Sequence, residues 1–431
     1  MNVRDGADVQ ERPDASYTSM GIAAFSTIVE WYDFTLYLYF ASVLSRVFFG
    51  GGELALASTL GGFAVAYLMR PFGAVILGHY GDRLGRRRMM LLSMGLMTAA
   101  MLVTAALPTY EQVGVASGLL LLLLRCVMAF SVGAEYTAVV AYLLEGAKPQ
   151  RRGLVASMAA ASSEVGGLLA AGVSTLTVLL LSAEDLASWG WRIPFLVGGL
   201  LAGLVWAARS FISETPEFER HLATGVVWKS PLKRIVMEQR PAVARGFAIS
   251  ALGSVTYYVG ITYVPTFLTS VGSMTEVDAL RLATVAAFAV ILVTPVFGYL
   301  SDRLGRKPVI LFLCLSSAAL PMLMFALMGG GSATQALVGA LVLAALGGGV
   351  SAVGAVATAE QLPIEGRMSG LALGATTATA IFGGLAPYLG QVLLEWLKWP
   401  LIPGVMISVV ALVFLPVFLK MPETRPKRRA G

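Results

Sequence analysis

The 431-residue sequence predicts an all-α membrane protein: twelve transmembrane helices in two six-helix bundles. Three observations carry this fold class: apolar runs of membrane length, a charge pattern that alternates from loop to loop, and one internal duplication. Hydrophobic residues make up 57% of the chain and charged residues 13%, with a mean hydropathy of +0.77, more apolar than a soluble core needs. Runs of about 20 apolar residues fall at roughly 19–48, 55–80, 88–108, 114–145, 153–181, 194–212, 243–270, 279–300, 308–328, 334–360, 368–394 and 400–420. They leave no sizeable soluble domain. Each run is continuously apolar and ends at Gly, Pro or charge, whereas barrel strands would alternate, so the spans are helices.

The net charge of +6 would suit a nucleic-acid partner until the charges are placed. Of the 31 Lys and Arg, Arg46, Arg192, Arg281 and Lys398 fall on one side, and Arg70 and Arg125 lie inside spans. The others occupy the two tails and the loops after spans 2, 4, 6, 8 and 10. By the positive-inside rule both termini are cytoplasmic; the basicity is topological and implies no nucleic acid. Residues 1–18 form a polar tail with no short apolar stretch before a cleavage site, so no cleaved signal peptide is expected. Cys126 and Cys314 both fall inside spans, which argues against a disulfide framework and a cysteine metal site, and nothing calls for a cofactor.

The duplication is direct. "GHYGDRLGRRR" at Gly78–Arg88 returns 220 residues later as "GYLSDRLGRKP" at Gly298–Pro308. Glu145 and Arg152, seven positions apart, recur as Glu360 and Arg367. The chain therefore divides into an N-terminal bundle, 19–213, a charged linker, 214–241, a C-terminal bundle, 242–420, and a basic tail, 421–431.

Charges inside spans are expensive, about 3 kcal/mol each on insertion scales. Glu30 sits about 16 Å along span 1, near mid-bilayer, with Asp33 one turn on and Tyr37 continuing the same face. Arg70, Arg125, Glu135 and Glu164 are the other deep charges, all in the first half. Arg125 and Glu135 share one stripe of span 4 with Met128 and Val132. Glu30, Asp33, Glu135 and Glu164 are candidate proton carriers; Arg70 and Arg125 could hold a carboxylate or neutralise these acids as fixed pairs. Ser162 and Ser163 could instead satisfy Glu164 as a neutral acid. The second half offers hydroxyl and aromatic contacts, Tyr257 and Tyr258 foremost, with Thr256 and Tyr263.

The repeated loops read as a gate. Gly78 and Gly85 permit close approach and a tight turn, and Asp82 and Asp302 can accept hydrogen bonds from the start of a neighbouring helix. Arg83, Arg86, Arg303 and Arg306 are placed to reach acids such as Glu145 and Glu360, with Arg152 and Arg367 following them. An embedded enzyme built on Glu30 and Asp33 is disfavoured, because no His or Cys cluster, metal spacing or nucleophile motif lies near them.

The duplicated loop resembles the signature of the major facilitator superfamily. "EWYDF" at Glu30–Phe34, "MRPFGA" at Met69–Ala74, "WGWRIPFL" at Trp189–Leu196 and "ETPEF" at Glu214–Phe218 resemble its metabolite:proton symporter branch, and "AIFGGLAP" at Ala380–Pro387 is similar to citrate-type carriers. The resemblance implies alternating access around a central cavity and proton-driven uptake, with Glu30, Asp33 and Glu135 as buried acids and Arg70 and Arg125 as buried arginines. The pattern departs at Met128 and Ala129 and at Met158, Ala159 and Ala160, where polar residues are common, and at Glu164, which adds an acid; a more apolar wall is expected there. The expected partners are a small organic acid or zwitterion, protons and the bilayer, handled by a monomer. An exporter of a drug-like or metal-chelating compound is the alternative.

Overall fold

The computed structural model describes residues 17–51, 53–215, 218–220, 231–271, 274–330 and 332–426. Most of the predicted 1–18 tail and residues 427–431 lie outside them. The described residues are mostly helical, with no strand among them. In the first half the helices are α1 Tyr17–Tyr39, α2 Ala41–Phe49, α3 Glu53–Tyr67, α4 Met69–Leu84, α5 Arg86–Ala105, α6 Ala116–Gly146, α7 Arg152–Leu180 and α8 Arg192–Ser210. The connecting segment holds α9, Pro231–Glu238. The second half has α10 Arg240–Tyr257, α11 Val264–Ser270, α12 Glu276–Leu304, α13 Arg306–Gly329, α14 Ala333–Glu360, α15 Arg367–Leu371, α16 Ala386–Leu397 and α17 Ile402–Lys420.

Among the described residues ten helices are long and apolar enough to cross a membrane, and Arg240–Thr262 with Val264–Ser270, bent by 43°, adds an eleventh. Of the twelve predicted spans, the one below this threshold of length and hydropathy is α1. At 23 residues it has the length, but Glu30, Asp33 and its tyrosines hold it below the hydropathy of the others. Its burial within the bundle compensates: Val29, Tyr32, Leu36 and Tyr37 belong to one buried cluster with Met97, Trp191 and Phe195.

Each half has its own core. Phe267, Phe325, Met328 and Leu343 anchor the second. Gly85 and Gly305 end α4 and α12 at φ +105° and +113°, a left-handed region open to glycine, which is why the repeated motif keeps a glycine there. Four wide helical turns interrupt the helices, at Leu186–Gly190, Tyr258–Thr262, Ala372–Thr376 and Ala380–Gly384. Such turns leave a helix locally adjustable, and two of them reach the cavity described next.

Small residues set where the polar side chains meet. A Cβ on Gly133 of α6 would lie 2.0 Å from the Arg70 carbonyl oxygen, and one on Gly166 of α7 would lie 2.2 Å from that of Ile28. These contacts draw α4 onto α6 and α7 onto α1. They place Arg70, Glu30 and Glu164 around one space.

Candidate substrate cavity and latch

Between the halves lies a cavity with about 1180 Å³ of empty space, open solvent included. Its charged lining is Glu30 of α1, Arg70 of α4 and Glu164 of α7; Trp31, Tyr67, Tyr257 and Tyr258 supply rings. Arg70 Nη1 lies 3.6 Å from Glu30 Oε1, an ion pair longer than a hydrogen bond. The Arg70 guanidinium is cradled by two rings, 4.5 Å from the Tyr67 centroid and 5.2 Å from that of Phe34. Glu30 Oε2 is buried with no hydrogen-bond partner among the described residues. A carboxyl left half-satisfied beside a cation is poised to exchange a proton or a partner.

Glu164 Oε1 accepts a hydrogen bond from the Tyr257 hydroxyl, which reaches across from the other half. The Ser163 hydroxyl donates to the Ala159 carbonyl at 3.1 Å, so it is not the group that satisfies Glu164. Tyr67 and Tyr258 share a second bond across the halves, 2.8 Å between their hydroxyls. Ala159 and Ala160 line the cavity as the apolar wall that was expected. Met158 is turned outward, and Met128 lies in the first-half core.

The deep charges divide into three nests rather than one shared wall. Arg125 donates to both oxygens of Asp33, at 2.8 and 3.0 Å, and stands outside the cavity lining. Tyr37 is also outside it: its hydroxyl donates to the Thr59 carbonyl at 3.0 Å and its ring stacks on Phe63. These two expected substrate contacts are thus occupied by protein partners, because the part of α1 that carries Asp33 and Tyr37 meets α6 and α3 rather than the gap between halves. Glu135 forms the third nest. Its carboxylate takes bonds from Ser26 and Ser93 and from Arg209, whose Nη2 and Nη1 lie at 2.5 and 2.9 Å. Arg209 is thereby corrected from a loop cation to a buried residue, 1% exposed. It is the last residue but one of α8, and its long side chain turns back into the bundle.

Thr256 and Tyr263, named with the second-half contacts, also point elsewhere. Thr256 donates to the Leu252 carbonyl, and Tyr263 donates to Gln391 at 2.5 Å.

The bidentate geometry predicts a stability effect. Asp33→Asn would strand Arg125, which is 4% exposed. Removing one partner of a buried pair costs about 3–5 kcal/mol. A clearly lowered melting temperature of the purified protein is expected, and an unchanged one would show that the pair is no anchor.

At one end of the bundle the repeated loops form matched latches. Asp82 accepts backbone N–H bonds from Met368 and Ser369 at 3.1 and 2.8 Å, tying α4 to α15. Asp302 accepts from Gly153 and Leu154, each at 2.9 Å, tying α12 to α7. Each aspartate therefore caps a helix of the opposite half. Gly78 lets α15 approach, its Cβ position lying 3.2 Å from the Met368 carbonyl. Arg86 donates to Glu145 at 3.0 Å, and Arg367 reaches the same oxygen at 2.9 Å from the other half. In the second copy Arg306 joins Asp302 at 2.7 Å and Glu360 at 3.1 Å. Arg152 opens α7 beside Gly153. Arg83 and Arg303 are exposed, outside the bonds that join the halves, and Arg303 lies over the Tyr299 ring. Asp and Arg stand three and two residues before the loop glycine, about 100° apart around the helix end, so they face different surroundings.

The latch has two further members that sequence reasoning left in the linker and the tail. Glu214 accepts from the backbone of Arg86 and Arg87 at 3.2 Å each, and Thr215 donates to Glu145 at 2.9 Å. Glu423 likewise accepts from Arg306 and Lys307 at 2.9 and 3.0 Å, and Thr424 donates to Glu360 at 2.7 Å. Burial pushes the Glu214 carboxyl above its ordinary range, against the pull of its backbone donors and Arg86. The signal was a short one: Glu-Thr recurs before a proline at the end of each half.

Comparison with known proteins follows the same division. Residues 20–226 match the family model described as "Sugar (and other) transporter", and residues 272–431 match "Major Facilitator Superfamily". The chain is 30% identical to a citrate-proton symporter of Klebsiella pneumoniae, over 89% of this chain and 87% of that one. It is 33% identical to the alpha-ketoglutarate permease of Escherichia coli, over 85% and 84%. It is 29% identical to a proline/betaine transporter of Salmonella typhimurium, over 95% and 84%. A solved proton:xylose symporter superimposes with a TM-score of 0.78 over 95% of this chain and 96% of that one; at 19% identity this shows the fold. A transporter rather than an enzyme, the chain is a multi-pass membrane protein and belongs to the major facilitator superfamily, in the branch that holds these metabolite carriers.

Proposed function

We propose that the protein is a proton-driven importer of a small metabolite bearing a carboxylate, working as a monomer in the bacterial inner membrane with both termini in the cytoplasm. The observation that carries this reading is the Glu30–Arg70 pair in the cavity wall. While Glu30 is ionised, Arg70 is neutralised by it. A proton on Glu30 releases Arg70 to take a substrate carboxylate, so proton and substrate bind together. On the less acidic side Glu30 loses its proton, reclaims Arg70 and displaces the carboxylate. The matched latches at Asp82 and Asp302 hold the cytoplasmic end closed while the site faces outward. Relatives named for citrate, alpha-ketoglutarate and proline/betaine support a small metabolite as cargo.

Proteoliposomes test the direction. An acid-outside gradient is expected to drive accumulation of a labelled organic acid or zwitterion, and a protonophore to abolish it. Faster loss of preloaded solute without any accumulation would refute import.

A further inference from the structure

Among the described residues the cavity wall holds one cation and two acids. Glu30 is matched by Arg70; Glu164 is not matched by any cation among the described residues. The charged or titratable groups facing Glu164 are Glu30 from α1, Tyr67 from α3, Arg70 from α4, and Tyr257 and Tyr258 from α10 and the turn that follows it. The walls from α6, α12 and α14 bring apolar residues, glycine, serine and threonine. An ionised Glu164 is therefore a second, uncompensated negative site, and its known partner is a neutral hydroxyl. Trp31 packs edge-on against Tyr257, 5.3 Å between centroids, and both rings line the cavity with that carboxylate.

We propose that Glu164 determines which substrate charge the carrier accepts: it receives the cationic nitrogen of a zwitterion whose carboxylate sits on Arg70. The inference rests on the carrier function proposed above and names its substrate class. A second carboxylate on the substrate would meet Glu164 without a cation to balance it, and like charges in a desolvated site repel strongly. An ammonium group instead gains the carboxylate, in a cavity that Trp31 and Tyr257 also line. It also replaces the Tyr257 hydroxyl on Glu164, which loosens one polar link between the halves as the substrate binds. The relatives' names divide between carboxylates and zwitterions; the unmatched acid decides for this chain.

Purified protein titrated at neutral pH with glycine betaine, L-proline, succinate and citrate tests the assignment. The wild type is expected to bind at least one zwitterion about tenfold or more tighter than either carboxylate. Glu164→Gln is expected to lose about tenfold or more of that affinity and to gain succinate binding, while Glu164→Asp restores the preference. Tyr257→Phe keeps the Glu164 charge, so it keeps the preference for zwitterions, which guards against a misfolded Gln variant. Succinate or citrate binding as tight as the zwitterions, no zwitterion binding, or an unchanged preference in Glu164→Gln would overturn the assignment. Gradient-driven accumulation of succinate by the wild type would leave the carrier standing and overturn the role of Glu164. Zwitterion binding without movement under any gradient would overturn the carrier and leave that role in place.

Discussion

Glu30→Gln is expected to abolish proton-driven accumulation, by about 100-fold or more, while exchange of internal for external substrate continues. Gln has the shape of the protonated acid and cannot release a proton, so Arg70 is permanently free for a carboxylate and both faces of the membrane see the same site. A 100-fold loss corresponds to about 2.7 kcal/mol of lost coupling. Binding should survive, because the cation and the aromatic cradle formed by Tyr67 and Phe34 are untouched. Its dependence on pH should weaken, since the group that competes for Arg70 no longer titrates. Counterflow and gradient-driven uptake, measured on the same vesicles, separate the two activities. Accumulation at wild-type levels would remove Glu30 from coupling.

Gly298→Leu is expected to hold the latch end open and slow transport by about tenfold or more. At Gly298 a Cβ would lie 2.4 Å from Ser157 Oγ and 2.7 Å from the Gly153 carbonyl, at the seam where α12 meets α7. A side-chain rotation cannot clear a backbone oxygen, so the seam must part, and Asp302 then loses its bonds to Gly153 and Leu154. The helix itself favours the change, by about 1 kcal/mol relative to glycine. Loss of function would therefore report the contact between halves rather than a damaged helix. If the clash costs about 3 kcal/mol the closed state falls by about 100-fold in relative population. Distances between spin labels on the ends of α7 and α12 should lengthen relative to the wild type. Wild-type distances and rates together would refute a closing seam.

The contrast between Asp33 and Glu30 depends on surroundings. One turn separates them on α1, and as isolated carboxyls they are alike. Asp33 meets a guanidinium that offers two parallel hydrogen bonds, which favours a fixed pair. Glu30 meets one at 3.6 Å with an oxygen to spare. This contrast is the ground for proposing Glu30 as the coupling acid and Asp33 and the Glu135–Arg209 nest as anchors.

The sequence by itself determined the helices, the duplication and the chemistry of the latch. Hydropathy needs only local composition, and a repeated Gly, Asp, Arg, Gly spacing brings the same groups to the same helix end in both halves. That Asp82 and Asp302 would cap a neighbouring helix, and that Arg86 and Arg306 would reach Glu145 and Glu360, followed from residue type and position. What only the tertiary structure decided was the pairing of charges far apart in the chain. Arg209 looked like a loop cation because its position lies at a span's end, yet its partner Glu135 is 74 residues away. The stripe on α6 that seemed to turn Arg125 and Glu135 toward one cavity sends them into separate nests, because a helix 31 residues long meets different neighbours along its length. Tyr37 shares a face with Glu30 but lies two turns further, where α3 covers it. Which acid remained unmatched, Glu164, depended on where the cations went, and helix packing across the two halves sets that.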